Sequence, residues 1–185
     1  MDEALIIAKC QQGNLEYFGE LFDLYHKKIY NFIYFRTLHK ETAEDLTSLT
    51  FAKTLEHLQN FDAQKGSFSS WLYQIARNCV IDHYRSLPDT QNITDAWDLP
   101  ANADVQRDAD TAIQLEKVKK YLSSLPARQR DIILMRVWDG FSHKEIAEIL
   151  KISEANSKMI FSRTLEKLRT EMDLMIICLL LMSIR

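Results

Sequence analysis

Glycine and proline are scarce in this sequence of 185 residues, which contains only 4 Gly and 3 Pro. Hairpins and tight turns depend on these two residue types, so a fold built from many short strands is disfavoured. Apolar residues make up 46% of the chain and charged residues 26%, which provides enough apolar material for one or two compact cores. We therefore expect an all-α protein in which short loops join the helices.

Cysteine is also scarce, and its placement argues against two further classes of protein. The three cysteines, Cys10, Cys79 and Cys178, lie far apart and form no Cys-x-x-Cys pair. This odd, scattered set favours a reducing compartment over a disulfide framework. The five histidines show no spacing typical of metal ligands or of a catalytic triad. We expect a cytoplasmic protein with no metal, no cofactor, no small-molecule substrate and no enzymatic activity.

The sequence lacks a hydrophobic run long enough to cross a membrane. The run from Leu174 to Met182 is unbroken, but it is under half of the roughly 20 residues that a spanning helix requires. The amino terminus is acidic where a secretory signal is basic. We therefore expect neither export nor stable membrane insertion. The apolar run is interpreted as a buried or partner-covered helix end, with contact at a membrane surface as the alternative.

Positive charge is in excess only towards the carboxyl terminus. Residues 1–85 contain 9 Lys and Arg against 11 Asp and Glu, residues 86–110 contain 1 against 6, and residues 111–185 contain 13 against 9. A protein that binds DNA unaided is usually more basic overall, because phosphate neutralisation supplies most of the affinity. Any DNA binding by this chain is expected to rely on a partner.

Apolar residues recur at helical spacing through the first half of the chain. One stripe runs from Leu15 to Ile33, and further helices are predicted over 41–61 and 70–85. The hydroxyls of Ser67 to Ser70 are typical of the start of a helix. This pattern predicts a helical domain.

Residues 86–110 have a different composition, with two of the three prolines, six acidic residues and no apolar period. These features are typical of a flexible acidic linker. The predicted organisation is a helical domain at 1–85, the linker at 86–110, a second helical domain at 111–172 and an apolar tail of unknown role at 173–185.

The segment from Gly140 to Arg169 has the pattern of a helix-turn-helix. Ser142 and Glu145 have the spacing of a capping box, and a short turn at 151–153 separates a two-turn helix from a longer one. In this layout the second helix lies in the major groove and presents its first residues to base edges. An ordinary helical hairpin is the alternative, but the polar outer face of the longer helix favours DNA binding.

Two ordered strings of residues resemble the sigma-70 family of bacterial RNA polymerase sigma factors. The first begins with Ala-Glu-Asp-Leu at Ala43 and continues with Phe-Asp-x-x-x-Gly-Ser-Phe-x-x-Trp-Leu from Phe61, Ile-Ala-Arg-Asn from Ile75 and Asp-x-x-Arg from Asp82. The second is Leu-Pro-x-x-x-Arg from Leu125, which leads into the helix-turn-helix. The chain is similar to the small, two-domain extracytoplasmic-function type. This resemblance implies a sigma factor that binds core RNA polymerase and promoter DNA and directs transcription initiation, with an anti-sigma factor as a further partner.

The resemblance implies three groups of functional residues. Promoter contacts at the minus-thirty-five element are expected from Lys144, Asn156, Lys158, Met159, Ser162 and Arg163. Recognition of the minus-ten element and strand separation are expected from Asp62, Lys65, Ser67, Phe68, Trp71, Arg77, Asn78, His83 and Arg85. Binding to core polymerase is expected from Glu44, Asp45, Leu46 and Phe51.

Physical chemistry supports these residue types, although it leaves alternatives open. Unstacked bases are stabilised by aromatic rings and by a basic track for the separated strand. Phe61, Tyr73 and Tyr84 are further aromatic candidates beside Trp71. The alternative is that these rings form the hydrophobic core, for which Trp71 has the right spacing. An acidic helix face is complementary to a basic partner, although Phe51 also fits a core position.

Two departures from the family pattern weaken parts of this assignment. Ser48 and Leu49 stand where family members commonly have Gln-Glu, in the segment expected to bind polymerase. Residues 155–160 read Ala-Asn-Ser-Lys-Met-Ile where Gly-Thr-Val-Lys-Ser-Arg is common. The promoter specificity of relatives is therefore not transferable to this chain.

Two other classes of function compete with this interpretation. A stand-alone helix-turn-helix regulator would combine a DNA-binding tail with an effector-sensing domain at 1–85, and would bind its operator without a partner. The ordered motifs and the net charge of −3 argue against it. A helical enzyme would need convergent acidic or histidine side chains, which the spacing does not indicate.

Overall fold

The computed structural model describes residues 2–87, 121–122 and 124–171, with side chains described as far as Leu168. The chain divides into two units, Met1–Pro88 and Asp89–Arg185. The described residues form helices and turns without any strand, which confirms the all-α prediction. From residue 88 onwards the predicted linker lies outside the described residues, as does the predicted tail at 173–185.

The first unit contains four α-helices. They are α1 (Glu3–Gln11), α2 (Phe18–Thr37), α3 (Lys40–His57) and α4 (Phe68–Ser86), with 3-10 turns at Leu15–Tyr17 and Leu58–Asn60. Helix α2 packs against the three other helices. The apolar pattern predicted α2, α3 and α4 but did not separate α1 as a helix of its own.

Buried side chains of α2 and α4 form the centre of the first unit. Ile29 and Ile33 on α2 and Leu72 and Val80 on α4 are fully buried. The hydroxyl of Tyr84 donates a hydrogen bond to the carbonyl oxygen of Arg36 at 3.1 Å, and this bond ties α4 to the end of α2. The buried side chains and this hydrogen bond hold α4 against α2.

Three buried threonines line the inner face of α3. The hydroxyls of Thr47, Thr50 and Thr54 donate to backbone carbonyls four residues earlier, at 2.6, 2.7 and 2.7 Å. A hydroxyl that is satisfied within its own helix is buried at little cost. The inner face of α3 is therefore partly polar, and leucines are left for its outer face.

The described part of the second unit includes α5 (Ala127–Val137), α6 (His143–Leu150) and α7 (Glu154–Glu171), which pack against one another. Arg130 is buried, and its guanidinium donates to the carbonyl oxygens of Leu122 at 2.7 Å and Leu125 at 3.0 Å. The side chain therefore holds the segment before α5 against the helix. These bonds supply a structural reason for the Leu-Pro-x-x-x-Arg motif.

Helices α6 and α7 form the predicted helix-turn-helix. Both hydrogen bonds of the capping box are present, from Glu145 N to Ser142 Oγ at 3.2 Å and from Ser142 N to Glu145 Oε2 at 2.8 Å. Lys151 ends α6 in the left-handed conformation with φ 53°. Ser153 Oγ accepts from Asn156 N at 3.2 Å and caps α7. The predicted capping residues and the predicted turn are confirmed.

Candidate nucleic-acid interface

The outer face of α7 carries most of the residues predicted to contact the upstream promoter element. Lys158, Met159, Ser162 and Arg163 are exposed, while Asn156 is half-buried. Lys144 is exposed on α6. The fold thus leaves these side chains free of the core of the second unit, although Asn156 is less accessible than predicted.

The orientation of α7 depends on a residue that the sequence reasoning did not select. His143 Nδ1 lies 3.0 Å from the hydroxyl of the buried Ser157, and the imidazole packs edge-on against Phe161 with ring centroids 5.3 Å apart. Burial lowers the pKa of His143, and the positive charges of Arg136 and Lys158 add to this effect. A neutral imidazole therefore links the start of α6 to the first turns of α7. The Ser-x-x-x-Ser spacing of 153 and 157 was the available signal, but it did not indicate the partner.

Lys158 is not a free cation. Its ammonium lies 2.6 Å from the Glu154 carboxylate, one helical turn earlier. The hydrogen bond and the charge of Lys158 lower the pKa of Glu154. Because this pair is internal to the helix, we expect Lys158 to attract phosphate less strongly than Arg163 does.

The loop from Asp62 to Ser67 has a defined shape. Asp62 Oδ1 accepts from the backbone of Gln64 at 2.9 Å, and Asp62 O accepts from the backbone of Lys65 at 3.0 Å. The Gln64 hydrogen bond lowers the pKa of Asp62, as does the Lys65 ammonium 3.3 Å away. At the far end, Ser67 Oγ caps α4 by accepting from Ser70 N at 3.2 Å. The loop therefore presents Lys65 to solvent from a hydrogen-bonded turn.

The aromatic residues beside this loop form a packed cluster. The ring centroid of Phe61 lies 5.5 Å from that of Phe68 and 5.2 Å from that of Trp71. Phe68 is only 2% exposed, and Tyr73 and Tyr84 are also buried. These three rings cannot stack on a base, which corrects the prediction for Phe68. Phe61 and Trp71 are half-buried and keep part of their surface accessible.

The remaining predicted residues of this group follow α4. Asn78 and Arg85 are exposed and lie two turns apart on one face of the helix, while Arg77 and His83 are half-buried. The guanidinium of Arg85 lies 3.6 Å from Asp82, and both side chains are solvated. Burial lowers the pKa of His83, so its imidazole is neutral near pH 7. This face of α4 offers a polar and partly cationic track that continues from the loop.

The outer face of α3 differs from the prediction. Glu44 and Asp45 are exposed as expected, but Leu46 and Phe51 are each only 5% exposed and belong to the core. The exposed apolar residues are instead Leu49 at 41% and Leu55 at 37%. The sequence reasoning took Leu46 and Phe51 from the family resemblance as the apolar polymerase contacts and selected neither Leu49 nor Leu55.

Other kinds of site are not indicated in the described part of the chain. Residues 2–87, 121–122 and 124–171 contain no group of three His, Cys, Asp or Glu side chains that could hold a metal ion. Within the same residues, no helix has both the length and the apolar character needed to cross a membrane. The candidate functional surfaces are therefore the polar face of α7, the 62–67 loop and the exposed face of α4.

A helix-turn-helix with an exposed polar second helix places this chain among helical DNA-binding proteins. Family models refine that class: residues 21–88 match Sigma-70 region 2, and residues 115–168 match Sigma-70, region 4. The chain therefore belongs to the sigma-70 family of RNA polymerase sigma factors.

Individual relatives and a solved structure agree with this assignment. The chain is 32% identical over 152 residues to the ECF RNA polymerase sigma factor SigM of Bacillus subtilis, covering 81% of this chain and 91% of SigM. It is also 32% identical over 168 residues to the ECF RNA polymerase sigma factor BldN of Streptomyces coelicolor, covering 88% of this chain but only 63% of BldN. The structure of CnrH in complex with the cytosolic domain of CnrY matches with a TM-score of 0.70 at 22% identity, covering 90% of this chain and 94% of that one. This last likeness concerns the fold.

Proposed function

We propose that this chain is a promoter-recognition subunit that binds core RNA polymerase and directs transcription initiation. The observation that carries the proposal is the pairing of two sigma-70 regions with a helix-turn-helix whose second helix keeps Lys158, Ser162 and Arg163 exposed. A stand-alone regulator is not favoured, because region 2 occupies the place where an effector domain would lie. The chain has no catalytic role of its own in this proposal and acts in the cytoplasm.

The two units divide the work on DNA. Helix α7 enters the major groove of the minus-thirty-five element, and Lys144, Asn156 and the exposed residues of α7 contact bases and phosphates there. The 62–67 loop and the α4 face contact the minus-ten element and hold its separated strand. On that surface Asp62, Lys65, Ser67, Trp71, Arg77, Asn78, His83 and Arg85 remain candidates, with Phe68 supporting them from the core.

The polymerase surface is the outer face of α3. Glu44 and Asp45 provide negative charge, and Leu49 and Leu55 provide exposed apolar area that nothing in the described part of the first unit covers. Apolar area with an acidic flank suits a basic partner, since charge sets the register and burial supplies affinity. Leu46 and Phe51 hold this face in shape from below. An anti-sigma factor that covered the same leucines would compete with polymerase.

The proposal is tested by fluorescence anisotropy with labelled promoter duplex, with and without core enzyme. The chain has a net charge of −3 and divides its DNA surfaces between two units, so we expect weak binding alone and tight binding in the holoenzyme. Tight, sequence-specific binding by the chain alone would instead identify a stand-alone regulator. A chain that fails to bind core enzyme would contradict the proposal.

A further inference from the structure

Met159 is an exposed apolar residue in the middle of the polar face of α7. Its side chain is 44% exposed, and it is the only large exposed hydrophobic residue in the described part of the second unit. The other large apolar residues of α7 behave differently, since Ile160, Phe161 and Leu165 are half-buried and Leu168 is buried. The Met159 side chain therefore contributes little to the core of the second unit.

The residues around Met159 are those of a DNA-facing surface. Ser162 and Arg163 follow three and four positions later, on the same side of the helix, and both are exposed. Lys158, the preceding residue, is engaged by Glu154 at 2.6 Å. A flexible thioether thus lies beside a hydroxyl and a guanidinium that are suited to phosphate.

The position of Met159 along α7 fits contact with a base. The first turns of the second helix of a helix-turn-helix reach the base edges, while cations further along bind the backbone. Ser153 caps these first turns, and the His143–Ser157 contact joins them to α6. Met159 is therefore carried into the groove on an anchored part of the helix.

The major groove presents one apolar group, the C5-methyl of thymine. Apart from C–H groups such as cytosine C5–H, the other base-edge groups there are hydrogen-bond donors or acceptors, and covering one with a thioether leaves it unpaired at a cost. We propose that Met159 is a specificity-determining residue that contacts the thymine C5-methyl in the minus-thirty-five element. This inference rests on the proposed function, because it requires α7 to enter the groove.

The experiment removes the methyl group from the DNA rather than from the protein. Holoenzyme assembled from the full chain and core polymerase first selects its upstream element from duplexes with a randomised minus-thirty-five segment. Each thymine of the selected element is then replaced in turn by deoxyuridine, which differs only at C5. We expect one or two of these replacements to weaken holoenzyme binding about four-fold, the effect of exposing one buried methyl-sized group.

Variants connect that methyl to Met159. In Met159→Ala holoenzyme, the duplexes with thymine and deoxyuridine at the sensitive position should bind equally. Met159→Leu keeps an apolar side chain of similar volume and should retain the preference for thymine. Ser162→Ala lies on the same face and is expected to preserve the ratio between the two duplexes, whatever it does to overall affinity. Because Met159 is exposed, these variants are expected to fold.

Four outcomes overturn the inference. Equal binding of all thymine and deoxyuridine duplexes by the unaltered holoenzyme, or selection of an element without thymine, removes the proposed contact but leaves promoter recognition intact. A thymine preference that persists in Met159→Ala assigns the methyl contact to another residue. A holoenzyme that selects no upstream element contradicts the proposed function itself, and the inference fails with it.

Discussion

The side-chain amide of Gln11 donates a hydrogen bond at 2.8 Å to the carbonyl oxygen of Phe61, 50 residues further along the chain. The same nitrogen donates to Leu58 O at 3.0 Å, and Gln59 Nε2 donates back to Gln11 O at 2.9 Å. Helix α1 therefore holds the chain at the point where α3 ends and the 62–67 loop begins. Gln11 precedes residues 21–88, the part that matches Sigma-70 region 2.

Replacing Gln11 by Leu should lower the free energy of unfolding by about 1–2 kcal/mol, because the carbonyl oxygens of Phe61 and Leu58 lose the Gln11 amide as a donor, while Leu58 O keeps its bond from Phe61 N. Urea denaturation measures this change. Promoter opening should also slow, since the loop loses its anchor, while core binding persists. Gln12→Leu is the matched control, because Gln12 is exposed. Equal destabilisation by the two variants would show that the hydrogen bonds of Gln11 contribute nothing specific.

Introducing a charged residue at an exposed leucine on the outer face of α3 should weaken binding to core polymerase. We expect Leu49→Glu and Leu55→Glu each to reduce affinity at least ten-fold, since a buried carboxylate at an interface is costly, while the melting temperature changes little. Leu5→Glu serves as the control, because Leu5 is 48% exposed on α1. The affinity is measured by titrating labelled chain with core enzyme. Unchanged affinity in both α3 variants would exclude this face as the polymerase surface.

Strand separation should depend on the exposed cations of the first unit. Changing Lys65 and Arg85 together to Ala removes two positive charges whose ion pairs, in the described part of the chain, are with solvated Asp62 and Asp82. Closed-complex formation should persist, while permanganate reactivity of unpaired thymines at a cognate promoter should fall, because the single strand loses its phosphate contacts. Changing Lys27 and Lys28, exposed on α2, is the charge-matched control. Normal opening in a folded Lys65/Arg85 variant that binds core enzyme would place the melting surface elsewhere.

Arg163 and Lys158 should differ in their contribution to promoter binding. Arg163→Ala is expected to weaken holoenzyme binding and to reduce the salt dependence by about one ion. Lys158→Ala should have a smaller effect, because Glu154 already neutralises part of its charge. Affinities measured over a series of salt concentrations compare the two slopes. If Lys158→Ala has the larger effect, then the ion pair opens on DNA and Lys158 is the main phosphate contact.

The titration of His143 should be shifted by the fold of the second unit. Burial lowers its pKa from the ordinary value of 6.5, so below that value the unfolded chain binds a proton that the folded chain resists. The contribution of His143 to the free energy of unfolding should therefore fall as the pH drops below 6.5 and level off below its folded-state pKa. Histidine NMR signals followed from pH 7.5 to 4.5 in the folded and urea-unfolded chain measure the difference. Identical midpoints in the two states would contradict the prediction.

The local signals in the sequence were sufficient for the helix-turn-helix. A capping box, a short turn and a second capping serine are each decided by neighbouring residues, and Ser142, Lys151 and Ser153 occupy the predicted places. Hydrogen bonds between residues three or four apart need no tertiary context. The same reasoning expected a capping hydroxyl among Ser67 to Ser70, and Ser67 caps α4.

The buried face of α3 was harder to predict from the sequence. Thr47, Thr50 and Thr54 are buried because each hydroxyl bonds within the helix, whereas Leu49 and Leu55 are exposed. Hydrophobic periodicity alone assigns leucines to the core and threonines to the surface. The family resemblance placed Leu46 and Phe51 at the polymerase surface, and periodicity, which counts Leu49 and Leu55 in the same apolar pattern, did not show that these two leucines are exposed.

The sequence by itself determined the helical class, the capping residues, the family motifs and the separation of charge along the chain, because these features depend on composition and short-range spacing. Only the tertiary structure decided which aromatic rings are buried, which leucines remain exposed, and that Gln11 reaches Phe61 and His143 reaches Ser157. Those contacts join residues 14 and 50 positions apart. They depend on how the helices pack, and short-range spacing in the sequence does not show which distant residues this packing brings into contact.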